Sequence, residues 1–269
     1  MRLLQGDCLQ EMDKLIEEGV RVDAIICDPP FGTTNCSWDS VIPLNRMWEK
    51  LNSIKHNSNT PIILNSQQPF TTSLIASNIS NFKYCWYWEK ERLTNITQVK
   101  KRAGKTIEEV CIFYDKPCLY NPQMIKYYGK KRTNKVKNGK MGKLADSGEK
   151  KVKEYNDTGF RYPTQVLKFK RDILTSNLHP TQKPVKLMEY LIKTYTNEGE
   201  TVLDFCAGSG TTGVACKLNN RNFILIEHEE KYCKIARQRI KNPDYKPPKP
   251  KTTQPKGRFD WNELDLEIK

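Results

Sequence analysis

Apolar positions recur along this chain in two rhythms, and their alternation sets the first expectation. Val22-Asp23-Ala24-Ile25-Ile26-Cys27 is a β-branched apolar run stopped by prolines, which reads as a short buried strand. Pro61 to Leu64, Tyr84 to Trp88, Glu109 to Tyr114, Thr201 to Phe205 and Phe223 to Glu227 read the same way. Between these runs the spacing turns helical. Gln10 to Glu18 puts Met12, Leu15 and Ile16 on one face, and Pro184 to Thr194 does so with Leu187, Tyr190 and Leu191. Leu44 to Ile54, Thr71 to Ser77, the stretch from Thr211 and Glu229 to Ile240 complete the helices. Strands alternating with helices predict a parallel sheet flanked by helices.

Periodicity fails between residues 118 and 178, where Lys, Arg, Asn, Gly and Tyr dominate. Lys130-Lys131-Arg132 opens a basic stretch there, with Tyr127, Tyr128, Tyr155, Phe160 and Tyr162 interleaved. We read this segment as an irregular insertion, either a nucleic-acid contact or a solvated loop, and the aromatics favour contact. From residue 242 the chain is rich in Pro and Lys, which predicts an extended tail.

The loop after the first buried run is the most informative one. Asp28-Pro29-Pro30-Phe31 leaves the carboxyl end of a strand, where open α/β sheets bind ligands. The prolines keep Asp28 and Pro29 out of the helical region, so the loop is extended and stiff. It offers the Asp28 carboxylate and the Pro29 carbonyl as acceptors, with Phe31 as a flat apolar face. That set can grip a planar base through an exocyclic amine and point the nitrogen lone pair at an electrophile. This is catalysis by positioning and electrostatics, without a metal. A Pro-Pro turn carrying a solvated Asp is the alternative.

Composition narrows the partner. With 269 residues the chain can build one α/β domain with an insertion, or two small domains. Lys plus Arg number 45 against 31 Asp plus Glu, a net +14 that favours a polyanion, most simply nucleic acid. No apolar run reaches the roughly 18 residues of a membrane span, and the polar N-terminus does not read as a signal peptide. Nine cysteines without any C-x-x-C pair argue against a zinc site or a disulfide framework, and for a reducing cytoplasm.

Gly208-Ser209-Gly210-Thr211-Thr212-Gly213 matches G-x-G-x-x-G between a strand and a helix, and Glu227 ends the next strand at the spacing of a ribose-binding carboxylate. The fingerprint alone does not separate a nicotinamide dinucleotide from S-adenosylmethionine. Only one βαβ unit follows the loop, the chain has three histidines, and the Asp28 tetrapeptide has no part in hydride transfer, so a dehydrogenase is the weaker reading.

Taken together, these motifs resemble the amino-methylating DNA methyltransferases of the beta class, in which the catalytic tetrapeptide precedes the recognition region and the cofactor loop. His179-Pro180-Thr181-Gln182-Lys183-Pro184, Gly6-Asp7, and Glu227 followed by Tyr232, Ala236 and Arg239 match further family segments. The resemblance covers residues 1–115 and 178–241. One departure is Asp204-Phe205-Cys206, where the family usually has Asp-Pro-Phe.

The resemblance implies a Rossmann-like S-adenosylmethionine-dependent methyltransferase fold, with a mostly parallel twisted sheet and an inserted target-recognition region. Residues 1–117 become the catalytic half, 118–178 the recognition insertion, 179–241 the cofactor-binding half and 242–269 the tail. It implies methyl transfer to the N6 amine of a flipped-out adenine in double-stranded DNA, with N4 of cytosine and a catalytically silent DNA-binding relative as alternatives. Asp28, Pro29, Pro30 and Phe31 become the catalytic set. S-adenosylmethionine would lie against Asp7, Cys8, Asp28, His179, Thr181, Gln182, Lys183, Asp204, Phe205, Cys206, Ala207, Gly208, Ser209, Gly210, Thr211, Thr212, Glu227 and His228. DNA phosphates would meet Lys100, Lys101, Arg102, Lys130, Lys131 and Arg132. No metal is implied. A homodimer and a restriction endonuclease partner stay open, since no residue identifies an interface.

Overall fold

Ala24–Cys27 forms strand β2 of the chain, and all of it is buried. A strand covered on both faces has no polar side, which is why this run is uniformly apolar. The computed structural model describes residues 1–34, 36, 39–129, 158–172 and 178–243. Around β2 lie β1 (Arg2–Gln5), β3 (Ile62–Ser66), β4 (Phe82–Glu89), β5 (Ile107–Phe113), β8 (Val166–Lys168), β9 (Thr201–Asp204) and β10 (Asn222–Glu227). They make one eight-stranded sheet in the order β1-β10-β9-β2-β3-β5-β4-β8. A two-residue ribbon of β6 (Ile125–Lys126) and β7 (Phe160–Arg161) stands apart from it.

Helices cover both faces. On one side α1 (Cys8–Glu17), α2 (Leu44–Ile54) and α3 (Phe70–Ala76) pack Met12, Leu15, Met47, Leu51, Ile54 and Leu74 against Ile25, Cys27, Ile62 and Leu64. On the other, α4 (Val185–Tyr195) and α5 (Thr211–Leu218) pack Leu187, Leu191, Ala215 and Cys216 against Ile26, Ile63, Val202 and Leu225. Ile25 and Ile26 face opposite layers, the two-residue period of a strand. α6 (Glu230–Lys241) follows β10 and packs on α5. α1 begins two residues before the expected Gln10 because Asp7 caps it: Asp7 Oδ1 accepts from Leu9 N at 3.0 Å and Gln10 N at 3.1 Å.

The sheet is mostly parallel, as the family resemblance implies, and two details depart from the reading of simple alternation. It is not wholly parallel, because β5 runs antiparallel to both β3 and β4. No crossover helix separates β4 from β5, so residues 90–106 return as a wide hairpin loop and β5 inserts between its neighbours. Nor is all of 118–178 irregular. Val166–Lys168 adds β8 to the edge of the sheet beside Tyr87, Trp88 and Glu89, with Leu167 buried. Three residues are too few to show a period.

The chain leaves β2 toward β3 on one side, and leaves β9 toward β10 on the other. The strand order therefore reverses between β2 and β9, and a crevice opens beyond their carboxyl ends. Asp28 follows one of these ends and Asp204 closes the other.

Candidate active site

That crevice is a cleft of about 980 Å³, lined from both halves of the chain. Asp28, Pro29, Pro30 and Phe31 all line it. Asn65, fully buried on β3, donates from Nδ2 to the Cys27 carbonyl at 3.1 Å and fixes the exit of β2. The Phe31 ring stacks on Phe70, with centroids 5.4 Å apart and planes 26° apart. Asp39 holds the loop that follows. Its two oxygens accept from the backbone N–H groups of Phe31, Gly32, Thr33 and Thr34 at 2.7–2.9 Å. Burial opposes the charge on Asp39, but the donors from Thr34, Gly32 and Thr33 outweigh it and hold the carboxyl below its ordinary range.

A chain of alternating charges runs inward from Asp28. Lys183 Nζ is 2.7 Å from Asp28 Oδ2 and 3.3 Å from Glu108 Oε2, and Lys90 Nζ pairs with the other Glu108 oxygen. Glu108, Lys90 and Lys183 are all buried. Two ammonium groups and two carboxylates sum to zero, which is what lets them stay charged out of water. Burial raises the Asp28 carboxyl above its usual range against the pull of Lys183. Burial would raise Glu108 too, but Lys183 and Lys90 hold it low. Burial opposes charge on Lys183, yet Asp28 and Glu108 push its pKa above that of an ordinary lysine. Asp28 Oδ1 is buried and has no hydrogen-bond partner.

The glycine loop closes the far side. Glu227 Oε2 accepts from Gly208 N at 2.7 Å and Oε1 from Glu229 N at 2.8 Å, so this carboxylate clamps the two loops that flank it. Burial raises its pKa. Gly208 has φ +52° and faces the His179 ring, which meets Tyr232 edge-on at 4.3 Å. Asp204 Oδ2 accepts from Thr212 Oγ1 at 2.6 Å, and burial pushes its pKa up to about 6. Arg239 donates to Ser209 O and Oγ at 2.8 Å and to Thr211 Oγ1 at 3.0 Å, and burial lowers it to about 10.

Nearly all of the residues expected at the cofactor line this cleft: Asp7, Cys8, His179, Thr181, Gln182, Lys183, Asp204 to Ser209, Thr211, Thr212, Glu227 and His228. Gly210 does not. It has φ +77°, and a side chain there would meet Ala236 of α6 at 2.7 Å, so this glycine serves helix packing. Phe205 is buried in the core and reaches the cleft from there. Arg102 lines the rim, and Lys100 and Lys101 are exposed beside it. Lys130, Lys131 and Arg132 lie outside the described residues, as do much of the insertion and of the tail from residue 244. Sequence reasoning missed Asp39, Asn65, Lys90 and Glu108. Glu108 carried one signal, a pair of charges with Glu109 near the start of an otherwise apolar strand.

The cleft suits an adenosine-bearing cofactor. It has a carboxylate at the end of β10, a tight glycine turn, and a buried Gln182 Nε2 that has no partner. Among the described residues no group of His, Cys, Asp and Glu could hold a metal ion.

The profile of a family described as DNA methylase matches residues 22–238. The type II methyltransferase M2.DpnII of Streptococcus pneumoniae is 28% identical over 264 residues, covering 89% of each chain. The DNA adenine methyltransferase YhdJ of Escherichia coli (strain K12) is 26% identical over 252 residues, covering 88% of this chain and 82% of that one. The crystal structure of an M1.HpyAVI-SAM complex superposes with a TM-score of 0.60 at 25% identity, covering 89% of this chain and 98% of the other.

Proposed function

This chain belongs to the DNA methylase family, and from that premise we propose that it methylates the N6 amine of adenine in double-stranded DNA, using S-adenosylmethionine. The observation that carries the reading is the unpartnered, buried Oδ1 of Asp28 at the topological switch point, across one cleft from the Glu227-clamped glycine loop. Relatives spanning most of the chain include one named a DNA adenine methyltransferase, which supports adenine as the base.

When bound, S-adenosylmethionine supplies a methyl group on a sulfonium leaving group. The protein's part is positional. An exocyclic amine is a weak nucleophile because its lone pair is spread into the ring. Asp28 Oδ1 and the Pro29 carbonyl accept its two N–H groups and aim the lone pair along the cleft. Phe31 stacks on the base. One amine proton becomes surplus as the N–C bond forms, and Asp28 stands where it emerges. A duplex hides this amine, so the nucleotide is flipped out, at a cost of a few kcal/mol. Lys100, Lys101, Arg102 and the basic insertion supply phosphate contacts that offset it.

No helix among the described residues is long and apolar enough to cross a membrane. A cytoplasmic location, a homodimer and a restriction endonuclease partner belong to the same reading, the last because one relative is named a type II methyltransferase. Single-molecule sequencing of DNA from cells expressing the chain tests it. Methyl-adenine in one short motif is expected, and an Asp28→Ala variant that still binds cofactor should leave no mark. Methyl-cytosine would move the target to N4, and unmodified DNA would overturn the enzyme.

A further inference from the structure

Lys183 closes a motif that the family resemblance assigns to the cofactor, yet its ammonium points elsewhere. It is shared between Asp28 Oδ2 and Glu108 Oε2, and it lies 5.5 Å from the centroid of the Phe31 ring. We propose that Lys183 reads the target base: its ammonium donates to the ring nitrogen next to the amine being methylated, while Asp28 Oδ1 accepts from that amine. The inference rests on the methyltransferase reading above and names the groups by which that site selects its base.

The base and the protein present complementary edges. Adenine presents an N6 amine donor beside the N1 acceptor, and cytosine an N4 donor beside the N3 acceptor. The matching protein edge is an acceptor beside a donor. Asp28 Oδ1 is a buried acceptor without a partner. Lys183 donates to Asp28 Oδ2 at 2.7 Å and forms an ion pair with Glu108 Oε2 at 3.3 Å, so at least one of its three N–H groups remains for a ligand. The Phe31 ring that would stack on the base brings its edge within reach of this pair. Guanine and thymine carry a carbonyl oxygen and a ring N–H at these places. Each would set acceptor against acceptor and donor against donor, leaving buried polar groups unpaired. Glu108 and Lys90 complete the device: Lys90 pairs with one Glu108 oxygen, which leaves the other facing Lys183.

The test uses the whole protein and duplexes carrying its mapped site, with either adenine or 1-deazaadenine at the target. The analogue keeps the amine and replaces N1 by C–H. The wild type should lose about 10- to 100-fold in kcat/KM on the analogue, the worth of a hydrogen bond from a charged donor. Lys183→Met also takes the counter-ion from Asp28 and Glu108, so it should lose at least this factor on adenine, but it should no longer distinguish adenine from the analogue, because the contact to N1 is already gone. Its S-adenosylmethionine affinity by calorimetry should match the wild type. Equal wild-type rates on both duplexes would overturn the inference without any variant, as would losses that multiply or a variant defective only in cofactor binding. A wild type inactive on adenine itself would overturn the methyltransferase reading and this inference with it.

Discussion

Asp39 holds Phe31 by its backbone: Oδ1 accepts from Phe31 N at 2.8 Å, and the same carboxylate goes on to bind the next three N–H groups. The ring proposed to stack on the base is therefore placed by a carboxylate eight residues further along. Asp39→Ala should cost about 2–3 kcal/mol in urea denaturation, the price of unpairing hydrogen bonds to a charged group. Methyl transfer should fall at least tenfold with cofactor affinity unchanged. Because the folded pKa of Asp39 is lowered, its contribution is complete above the ordinary aspartate pKa and is lost as pH falls below it.

Glu227 binds Gly208 N and Glu229 N before any cofactor arrives. Glu227→Ala should therefore loosen the glycine loop and remove the ribose acceptor together. We expect at least a tenfold loss of S-adenosylmethionine affinity by calorimetry, with a lower thermal midpoint. Unchanged affinity would contradict the ribose role.

His179 carries a pH signature of opposite sign to the buried carboxylates around it. Burial, helped by Lys183 and Lys231, lowers its pKa to about 4. The unfolded chain takes up this proton near pH 6.5 and the folded protein only near 4. Stability tied to His179 is thus present above pH 6.5 and drains away as pH falls through that window. Between pH 7 and pH 5 the wild type should lose about 1–2 kcal/mol more than His179→Gln does. Parallel urea curves for the two proteins would show that the histidine is not held neutral.

A formal charge of +14 predicts steep salt dependence of DNA binding. Arg102 lies on the cleft rim with Lys100 and Lys101 exposed beside it, so each change to Ala should lower the slope of log K against log salt by about 0.9. A slope untouched by all three would remove this rim from the DNA interface.

Local patterns carried much of this site and none of its wiring. Asp28 and the glycine loop were legible because a proline-stopped apolar run and a glycine turn each write their backbone geometry within a few neighbouring residues. Glu108 and Lys90 were not, because they meet only where the reversed strand β5 lies beside β4, and Lys183 reaches Glu108 from the distant segment before α4. The direction of β5 rests on the lack of a crossover α-helix in residues 90–106, which hold only the single 3-10 turn Ile96–Gln98 and which a reading tuned to alternation passes over. Gly210 shows the converse. Its place in the fingerprint suggested ligand contact, while its neighbour in space is Ala236. The family segment of Tyr232, Ala236 and Arg239 likewise supports the loop: Ala236 packs on Gly210 and Arg239 binds Ser209 and Thr211.

The edge strand β8 bears on how specificity could be exchanged between relatives. Gln165 O accepts from Tyr87 N at 2.8 Å, Phe169 O from Trp88 Nε1 at 2.8 Å, Arg171 pairs with Glu91, and Asp172 Oδ2 accepts from Val185 N at the start of α4. Residues 165–172 are stitched to both halves of the catalytic unit. A transplant that takes 118–178 whole would tear out a strand of the sheet. A graft ending before Gln165 would carry the basic segment alone and leave the recipient's scaffold intact, so the natural seam of this protein lies inside the segment that its composition marks as one piece.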